Sequence, residues 1–395
     1  MKVLLIVDDY LPDSYKAGAV IMHDLATKMV NQGHQVSVLT SRDSVRPGQE
    51  MVELDGVQVL SFSAGAIKNT GKIKRAINET LFSSRGFSAF SGYFKKTSHD
   101  VIAYYSPSIF WGGLVKRLKK LWACPSYLIV RDIFPQWCID EGLMKDGSLI
   151  SKYFRYFEGV CYSAADVIGV QSPSNRRYFE RRQDIDNSKL EVLYNWVTPK
   201  EAIASSKIRS RYGLDGKVIF FFGGNLGHAQ DTGNILRLAQ ALKEHDNVHF
   251  LLVGQGDEVP LIEQAIAAQT NPNITYLPPV NQDEYLLILS EMDIGLFSLH
   301  ADHKTDNIPG KILGYLSCQK PILGSVNPGN DVISLIENAD AGFVLCNGQD
   351  DLLRDKALQL LGDHQLRARM GRSGKSLLDS QFSTEAAVTQ ILKIR

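Results

Sequence analysis

The sequence predicts an α/β protein with two domains, each built on a parallel sheet. Its 395 residues exceed one typical domain and suffice for two full cores. Short apolar runs alternate with stretches of helical periodicity along the chain, and no repeat of solenoid length interrupts them. Residues 1–200 hold 26 Lys and Arg against 20 Asp and Glu, whereas the remainder holds 17 against 23. We therefore expect one basic and one acidic domain.

The first domain is predicted to span residues 1–199. Its opening apolar run is too short for the core of a signal peptide, so we interpret it as the first buried strand. Further apolar runs follow, with helical patterns between them such as 20–31 and 110–121. The strands are predicted at 3–7, 36–39, 57–62, 101–105, 127–130, 167–170 and 190–194.

The second domain, predicted at residues 200–378, begins with the most informative stretch, KVIFFFGGNLGHAQDTGNILRLAQA at 217–241. A buried strand at 218–222 ends in Gly223 and Gly224, and helical spacing starts after Thr232. Such a turn presents backbone N–H groups that suit a diphosphate, although an ordinary strand-to-helix turn is the alternative. Later strands are predicted at 250–253, 274–277, 294–298, 321–323 and 342–344.

The composition indicates a globular protein of a reducing cytoplasm. Hydrophobic residues make up 44% and charged residues 22%, and no apolar run reaches the roughly 18 residues that span a bilayer. The five cysteines are scattered without CxxC or CxxH spacing, so they predict neither a zinc site nor a disulfide framework.

Polar residues follow two predicted strands of the first domain. Asp9 comes after the first strand, in a loop that continues through Lys16 to Gly18 before a helix. Arg131 and Asp132 follow the strand at 127–130. Ligands of parallel sheets bind at the carboxyl ends of the strands, so we expect these residues at a ligand site. A structural Arg-Asp ion pair is the alternative.

A second candidate for a diphosphate site is the segment Ile308-Pro309-Gly310-Lys311. Proline is favoured at the first position of a helix, glycine permits close approach, and the lysine adds a cation beside unsatisfied N–H groups. An exposed lysine on an ordinary first helical turn is the alternative.

The basic excess of the first domain is clustered among aromatic residues. This pattern can bind an anionic membrane or a nucleic acid, whereas the alternative is a set of solvated helix faces around an aromatic core. The basic residues are Lys68, Lys72, Lys74, Arg75, Lys95, Lys96, Lys116, Arg117, Lys119 and Lys120, and the aromatic ones are Phe82, Phe87, Phe90, Tyr93 and Phe94.

The order of motifs resembles that of the GT-B glycosyltransferases of family four, and more narrowly the O-antigen and capsule N-acetyl-L-fucosaminyltransferases. The motifs are DDYLP, RDIFPQ, YFEGVCYSAAD, VLYNW, GGNLGHAQ, FLLVGQGD, YLPPV, IPGK and QKPIL, and they run over nearly the whole chain. This resemblance implies two Rossmann-like domains facing a central cleft, with a helix at 379–395 returning to the first domain. It also implies a retaining hexosyltransferase that needs no metal or other cofactor.

The same resemblance implies the partners. A UDP-sugar would bind mainly the second domain. A lipid-diphosphate-linked saccharide would bind the first, at the inner face of the cytoplasmic membrane, in O-antigen (lipopolysaccharide) or capsule synthesis. We expect peripheral membrane attachment and no nucleic acid. The alternatives are a GT-B sugar epimerase and a non-catalytic nucleotide-sugar binding protein.

The resemblance implies the site residues, both at positions that match the family's motifs and at positions that differ from them. Asn225 and Gln230 stand where many members have an Arg and a Lys, and Asp306 and Gly314 stand where many have two glutamates. Lys311, with Lys304, would then neutralise the diphosphate. We assign to the donor Gly224, Asn225, Gln230, Pro279, Val280, Lys304, Asp306, Gly310 and Lys311, to the acceptor Asp9, Lys16 and Gly18, and to catalysis Asp132, Arg131 and Lys311.

Overall fold

A computed structural model of the chain describes residues 1–14, 16–42, 48–67, 70–106, 108–198, 207–302 and 308–394, with the backbone alone at 72 and 73. The chain forms two compact units. The first unit comprises Met1–Thr198 together with Ser383–Arg395, and the second comprises Pro199–Phe382.

The first unit contains an eight-stranded sheet. Its strands are β1 (Lys2–Val7), β2 (Gln35–Arg42), β3 (Gln49–Leu54), β4 (Val57–Ser63), β5 (Val101–Tyr105), β6 (Ser126–Ile129), β7 (Val167–Val170) and β8 (Leu190–Val192), in the order β3-β4-β2-β1-β5-β6-β7-β8. Its helices are α1 (Ala17–Asn31), α2 (Lys72–Thr80), α3 (Phe82–Lys96), α4 (Gly112–Trp122), α5 (Gln136–Asp140), α6 (Leu149–Ala164) and α7 (Pro173–Glu180).

Strand β3 is the exception to the predicted parallel arrangement. It pairs antiparallel with β4, whereas every other pairing in this sheet is parallel. Asp55 and Gly56 connect the two strands with positive φ angles of 50° and 77°. An Asp-Gly pair favours this type of hairpin turn, so the sequence carried a signal that we did not use. The prediction of an entirely parallel first sheet is therefore wrong at this edge.

Apolar side chains cover both faces of the first sheet. Leu4 and Ile6 of β1 enter one buried cluster, whereas Val3, Leu5 and Val7 enter the other. This alternation explains why β1 is a continuous apolar run. Several aromatic residues of the basic stretch, including Phe82, Phe90 and Phe94, belong to the core. For these residues the alternative of an aromatic core is correct.

The second unit contains a six-stranded parallel sheet. Its strands are β9 (Val218–Asn225), β10 (Val248–Gln255), β11 (Ile274–Leu277), β12 (Ile294–Ser298), β13 (Ile322–Val326) and β14 (Gly342–Cys346), in the order β11-β10-β9-β12-β13-β14. Its helices are α8 (Ile208–Arg211), α9 (Thr232–Ala241), α10 (Val259–Ala267), α11 (Gln282–Ser290), α12 (Gly310–Ser317), α13 (Val332–Asn338), α14 (Asp350–Gly362) and α15 (His364–Leu377). Each strand predicted in the second half is present.

The last helix, α16 (Thr384–Leu392), belongs to the first unit. Val388 and Ile391 are buried in the same cluster as Met22 and Leu25 of α1. A backbone bridge between Val197 and Ser383 joins the segment that leaves the first unit to the segment that returns. In the described ranges, no helix has both the length and the hydropathy needed to cross a bilayer.

Candidate active site

In the second unit, the site is built on the carboxyl end of β9. Gly224 has a φ of 109°, which favours glycine. Gly254 of β10 lies opposite it, and a Cβ on Gly254 would stand 1.8 Å from the Gly224 carbonyl oxygen. The close approach of these two glycines fixes the position of the Gly224 backbone at the carboxyl end of β9.

The helix after β9 begins at Thr232 as predicted, but carboxylates already bind its first N–H groups. The Thr232 N–H donates to Glu258 Oε2 at 2.8 Å. The Asn234 N–H donates to Asp231 Oδ1 at 3.2 Å. An anion would use the same groups. The prediction of free N–H groups at the N-terminus of α9 is therefore wrong, because acidic residues cap them.

Lys311 is the unusual cation of this site. Its Nζ is buried and has no hydrogen-bond partner among the described residues. The Nζ lies 3.3 Å from the centre of the Phe222 ring, and the neighbouring Cε is 3.9 Å from where a Cβ of Gly224 would stand. Burial lowers the pKa of Lys311 from 10.5 to about 7. The alternative of an exposed lysine on an ordinary first turn is wrong.

The helix that carries Lys311 presents its N-terminus without a side-chain cap. Pro309 occupies the position before the first helical residue, one place earlier than predicted, and Gly310 opens α12. Gly310 is exposed, and no atom lies within 4 Å of where its Cβ would be. Helix N-termini attract anions, so the start of α12 and the Lys311 ammonium both favour a phosphate group here.

The structure brings Asn225 and Gln230 together. Asn225 is the last residue of β9, and its Nδ2 donates to Gln230 Oε1 at 2.6 Å. Asn225 is exposed and Gln230 is half-buried, so both amides can reach a ligand at this edge. Neither carries a charge, which leaves Lys311 as the buried cation beside Gly224.

Sequence reasoning missed two histidines at the same edge. The rings of His228 and His300 lie 4.8 Å apart between centroids. The backbone N–H of His300 donates to the Ala229 carbonyl at 3.0 Å. His228 Nδ1 is 3.4 Å from Glu258 Oε1. One follows β9 and the other follows β12, and nothing in their sequence spacing indicated that they would meet.

Pro279 and Val280, which were also assigned to the donor, follow strand β11. Pro279 is exposed and Val280 is half-buried in the turn between β11 and α11, at the carboxyl edge of the sheet. Strand β10 separates β11 from β9. Lys304 and Asp306 lie outside the described residues.

In the first unit, sequence reasoning also missed Asp8 at the carboxyl end of β1. Trp111 Nε1 donates to Asp8 Oδ1 at 2.6 Å. Burial raises the pKa of the Asp8 carboxyl from 3.8 to about 7, against the opposing effect of the Trp111 hydrogen bond. A carboxyl group that titrates near neutrality at a strand end is a candidate functional group.

The three residues assigned to the acceptor lie in the loop that follows β1 and in the first turn of α1. Lys16 Nζ donates to Asp9 Oδ2 at 2.6 Å, across the loop between β1 and α1. Gly18 lies in the first turn of α1, and a Cβ there would be 3.3 Å from the Tyr105 hydroxyl. The loop and the end of β5 thus place a carboxylate, an ammonium and a phenol hydroxyl at the carboxyl end of the first sheet.

Arg131 does not form the ion pair with Asp132 that we weighed as an alternative. Its buried guanidinium donates to the carbonyl oxygens of Leu193 at 2.9 Å and Tyr194 at 3.2 Å. It also stacks 4.9 Å from the Trp196 ring centre. These contacts hold the segment after β8 in place and explain Arg131 as a structural residue. They do not support its assignment to catalysis.

Asp132, in contrast, is an exposed residue. No ion pair joins it to Arg131 within the described part of the chain, and partial desolvation raises the pKa of its carboxyl. Its backbone carbonyl accepts from Ser106 Oγ at 3.4 Å, which ties the ends of β5 and β6. Asp132 therefore remains available to a ligand.

Both units match models of glycosyltransferase domains. Residues 17–196 match the glycosyl transferase 4-like domain. Residues 205–377 match the glycosyl transferases group 1. Together the two matches cover most of the chain.

Curated relatives match at low identity and over part of their length. The chain is 23% identical to the probable glycosyltransferase WbjE of Pseudomonas aeruginosa over 260 residues, which cover 65% of this chain and 64% of WbjE. It is 22% identical to the capsular polysaccharide biosynthesis glycosyltransferase CapM of Staphylococcus aureus over 225 residues, which cover 55% of this chain and 52% of CapM. The chain thus spans half to almost two thirds of these relatives.

Solved structures share the fold over the whole chain. HepE of Anabaena, in complex with UDP and glucose, has a TM-score of 0.61 at 15% identity and covers 100% of this chain and 98% of its own. WaaG, a glycosyltransferase involved in lipopolysaccharide biosynthesis, has a TM-score of 0.59 at 13% identity, covering 99% of both chains. The architecture of two Rossmann-like domains is therefore the GT-B fold, and the chain is a glycosyltransferase whose second unit matches the group 1 model and whose first unit matches the 4-like model.

Proposed function

We propose that this protein transfers a sugar from a UDP-sugar to a lipid-linked saccharide during synthesis of a surface polysaccharide. Lys311 carries the proposal, because a buried ammonium without an acceptor among the described residues suits the phosphates of a nucleotide sugar. The crystallisation of HepE with UDP and with UDP-glucose supports a UDP-linked donor. The names of WaaG and CapM support a polysaccharide product.

The proposed chemistry breaks the bond between the anomeric carbon and the β-phosphate oxygen of the donor. An acceptor hydroxyl forms the new glycosidic bond and releases its proton. UDP gains negative charge as it leaves, and the Lys311 ammonium with the first N–H groups of α12 stabilises that charge. We propose that the anomeric configuration is retained through an oxocarbenium-like transition state, so that acceptor placement matters more than a dedicated nucleophile.

On the acceptor side, we propose that Asp132 orients the attacking hydroxyl. Its carboxyl is exposed and its pKa is raised, which favours hydrogen bonding to a hydroxyl and acceptance of a proton. Asp9 and Lys16 would bind polar groups of the acceptor. The donor sugar, N-acetyl-L-fucosamine or a related deoxy amino sugar, rests on the sequence resemblance alone.

We further propose that transfer needs no metal, because Lys311 and α12 supply positive charge where a divalent cation would otherwise neutralise the diphosphate. Turnover should persist after dialysis against EDTA. Loss of turnover that Mg²⁺ or Mn²⁺ restores would contradict this part of the proposal.

The reaction class can be tested with labelled UDP-sugars, with and without a lipid-diphosphate-linked saccharide. Transfer predicts label in the lipid only when both are present. An epimerase would convert or hydrolyse the donor without acceptor, and a binding protein would retain the donor unchanged. The names of the curated relatives favour transfer over epimerisation.

A matched variant helps to interpret this assay. Lys320 is a second largely buried lysine of the same unit, but its Nζ donates to the Ser290 carbonyl at 2.7 Å. Lys320→Met should keep donor binding, whereas Lys311→Ala should lower turnover by about a hundredfold or more. Near-normal turnover of Lys311→Ala would show that another group neutralises the diphosphate.

A further inference from the structure

We infer that an exposed apolar face of the first unit, formed by α5, α6 and the turn between them, attaches the protein to a lipid bilayer. This α5–α6 face consists of Trp137, Leu143, Leu149, Ile150, Tyr153 and Tyr156. The inference rests on the proposed function, because a lipid-linked acceptor keeps its tail in the bilayer.

The apolar side chains of the face are largely exposed to solvent. Leu149 is 86% exposed, Leu143 is 72% exposed and Tyr156 is 66% exposed. Leu149, Tyr153 and Tyr156 are spaced four and three residues apart, so they share one side of α6. Scattered apolar residues are ordinary on protein surfaces, but a contiguous apolar helix face marks an interaction surface.

The fold of α6 does not depend on this face. Phe154 and Phe157 of the same helix pack against the core, with Phe110 as a shared neighbour at 6.4 Å and 5.1 Å between ring centroids. Because α6 already buries this second side, its outward apolar side chains are free to contact a partner.

One member of the face, Trp137, lies beside the segment that carries the residue proposed to orient the acceptor. The Trp137 ring lies 6.4 Å from the Phe134 ring, which in turn lies 4.8 Å from Phe154. Phe134 follows Asp132 by two residues, at the carboxyl edge of the sheet. A bilayer against the α5–α6 face would therefore hold the headgroup of a lipid-linked acceptor near the residue proposed to orient it.

The chemistry of the face fits the boundary between headgroups and acyl chains. Tyr and Trp prefer this boundary, where the ring is apolar and the hydroxyl or N–H reaches water. The Tyr153 hydroxyl contacts the Thr80 hydroxyl of α2, and Ile77 of α2 is also exposed.

Charges around the face are mixed. The exposed cations are Lys74, Arg75, Lys145 and Lys152, and the exposed anions are Asp140, Glu141 and Asp146. Arg75 pairs with Glu79 at 2.7 Å. Apolar insertion is therefore the main contribution, and anionic lipid adds to it.

This surface supplies the apolar contact that the buried aromatic residues of the cluster predicted at 68–120 do not. Phe82, Phe90 and Phe94 are at most 2% exposed, so they cannot enter a bilayer from the folded protein. Lys68 lies outside the described residues.

The test measures co-sedimentation of the full chain with vesicles of phosphatidylcholine, with and without phosphatidylglycerol. The triple substitution Leu149→Gln, Ile150→Gln and Tyr156→Gln should weaken binding to both vesicles by at least about tenfold. A matched control replaces Met51, Leu261 and Leu352, which are 48%, 44% and 49% exposed on other elements, and it should bind as the parent does.

Vesicle binding of the triple variant equal to that of the parent would overturn the inference. So would a parent protein that binds no vesicles and forms a dimer which the triple substitution dissociates, because a second copy would then cover the face. Transfer to a short soluble acceptor should be unchanged in the triple variant. If the parent binds vesicles but transfers no sugar, the proposed function fails while the surface assignment stands.

Discussion

Lys311 is the residue where function and stability conflict most directly. Its ammonium is buried against the Phe222 ring, and its pKa falls from 10.5 to about 7 because burial disfavours the charge. Between these two pH values the unfolded chain holds a proton that the folded protein has released. The free energy of unfolding should therefore rise with pH across this window, and the residue destabilises the fold most below pH 7.

This conflict gives the first prediction. Lys311→Met keeps apolar volume against Phe222 and removes the buried charge, so at pH 6 it should stabilise the fold by a few kcal/mol while abolishing most turnover. Thermal unfolding of the parent and the variant at pH 6 and pH 10 measures the stabilisation. The stabilisation should shrink at the higher pH, and a variant less stable than the parent at pH 6 would contradict the prediction.

The affinity for UDP should also depend on pH through Lys311. An anion binds the protonated amine, so affinity should be constant below about pH 7 and fall by about tenfold per pH unit above it. Titration calorimetry from pH 6 to pH 9 follows this change. The Lys311→Met variant is the control, since its weaker binding should lack that slope. An identical slope in the variant would assign the titration to another group.

Arg131 and Asp132 are neighbours in sequence with opposite expected phenotypes. Arg131→Met leaves the carbonyls of Leu193 and Tyr194 without their buried donors, which should lower the free energy of unfolding by about 3 kcal/mol. Asp132→Asn should leave unfolding unchanged and lower turnover more than donor affinity. Urea unfolding and steady-state kinetics on both variants separate the roles. Loss of donor affinity in Asp132→Asn would place Asp132 on the donor side.

The sequence indicated which residues stand at strand ends but not how deeply they are buried. Lys311 was found from the Pro-Gly-Lys order, yet its burial depends on Phe222, which is distant in sequence. Asp9 was chosen instead of Asp8 because Trp111, whose side chain donates a hydrogen bond to Asp8, is 103 residues away. Arg131 was assigned to catalysis because nothing local reveals that its hydrogen-bond acceptors follow β8.

At the scale of secondary structure, the pairing of β9 with β10 determines where the donor site lies. Gly254→Ala would place a methyl group 1.8 Å from the Gly224 oxygen, so the strands must separate at this point. We expect a loss of stability of about 2 kcal/mol or more and a weaker affinity for UDP, because Gly224 adjoins Lys311. Gly362→Ala is the matched control, since nothing lies within 4 Å of a Cβ there. Equal stability of the two variants would contradict this account.

Strand positions were predictable where apolar runs were buried on both faces. Strand β3 was missed because its pattern, with residues 49–53 all exposed, offers no apolar run. The hydrogen bonds of the hairpin and the Asp55-Gly56 turn stabilise this strand instead of burial. Helices α2 and α3 were anticipated only as helix faces without bounds, because their basic and aromatic residues suggested a binding surface.

At the scale of the molecule, the chain passes from the first unit to the second and returns. Val388 and Ile391 of α16 pack in the core beside α1, and Gln390 donates to the Val192 carbonyl at 2.9 Å. We expect that ending the chain after Phe382 destabilises the first unit and leaves the second folded. Hydrogen exchange read by mass spectrometry distinguishes the units. Unchanged protection of α1 and β8 would show that α16 contributes little.

The return of α16 also reverses the usual order of folding during synthesis. Domains generally fold in the order in which they leave the ribosome. Here the helix that completes the first core is translated after the whole second unit. The second unit can therefore reach its native state on the ribosome, while α1 and the end of β8 keep an apolar surface uncovered until α16 emerges. While the second half of the chain is being translated, the first half should therefore need chaperones to cover this apolar surface.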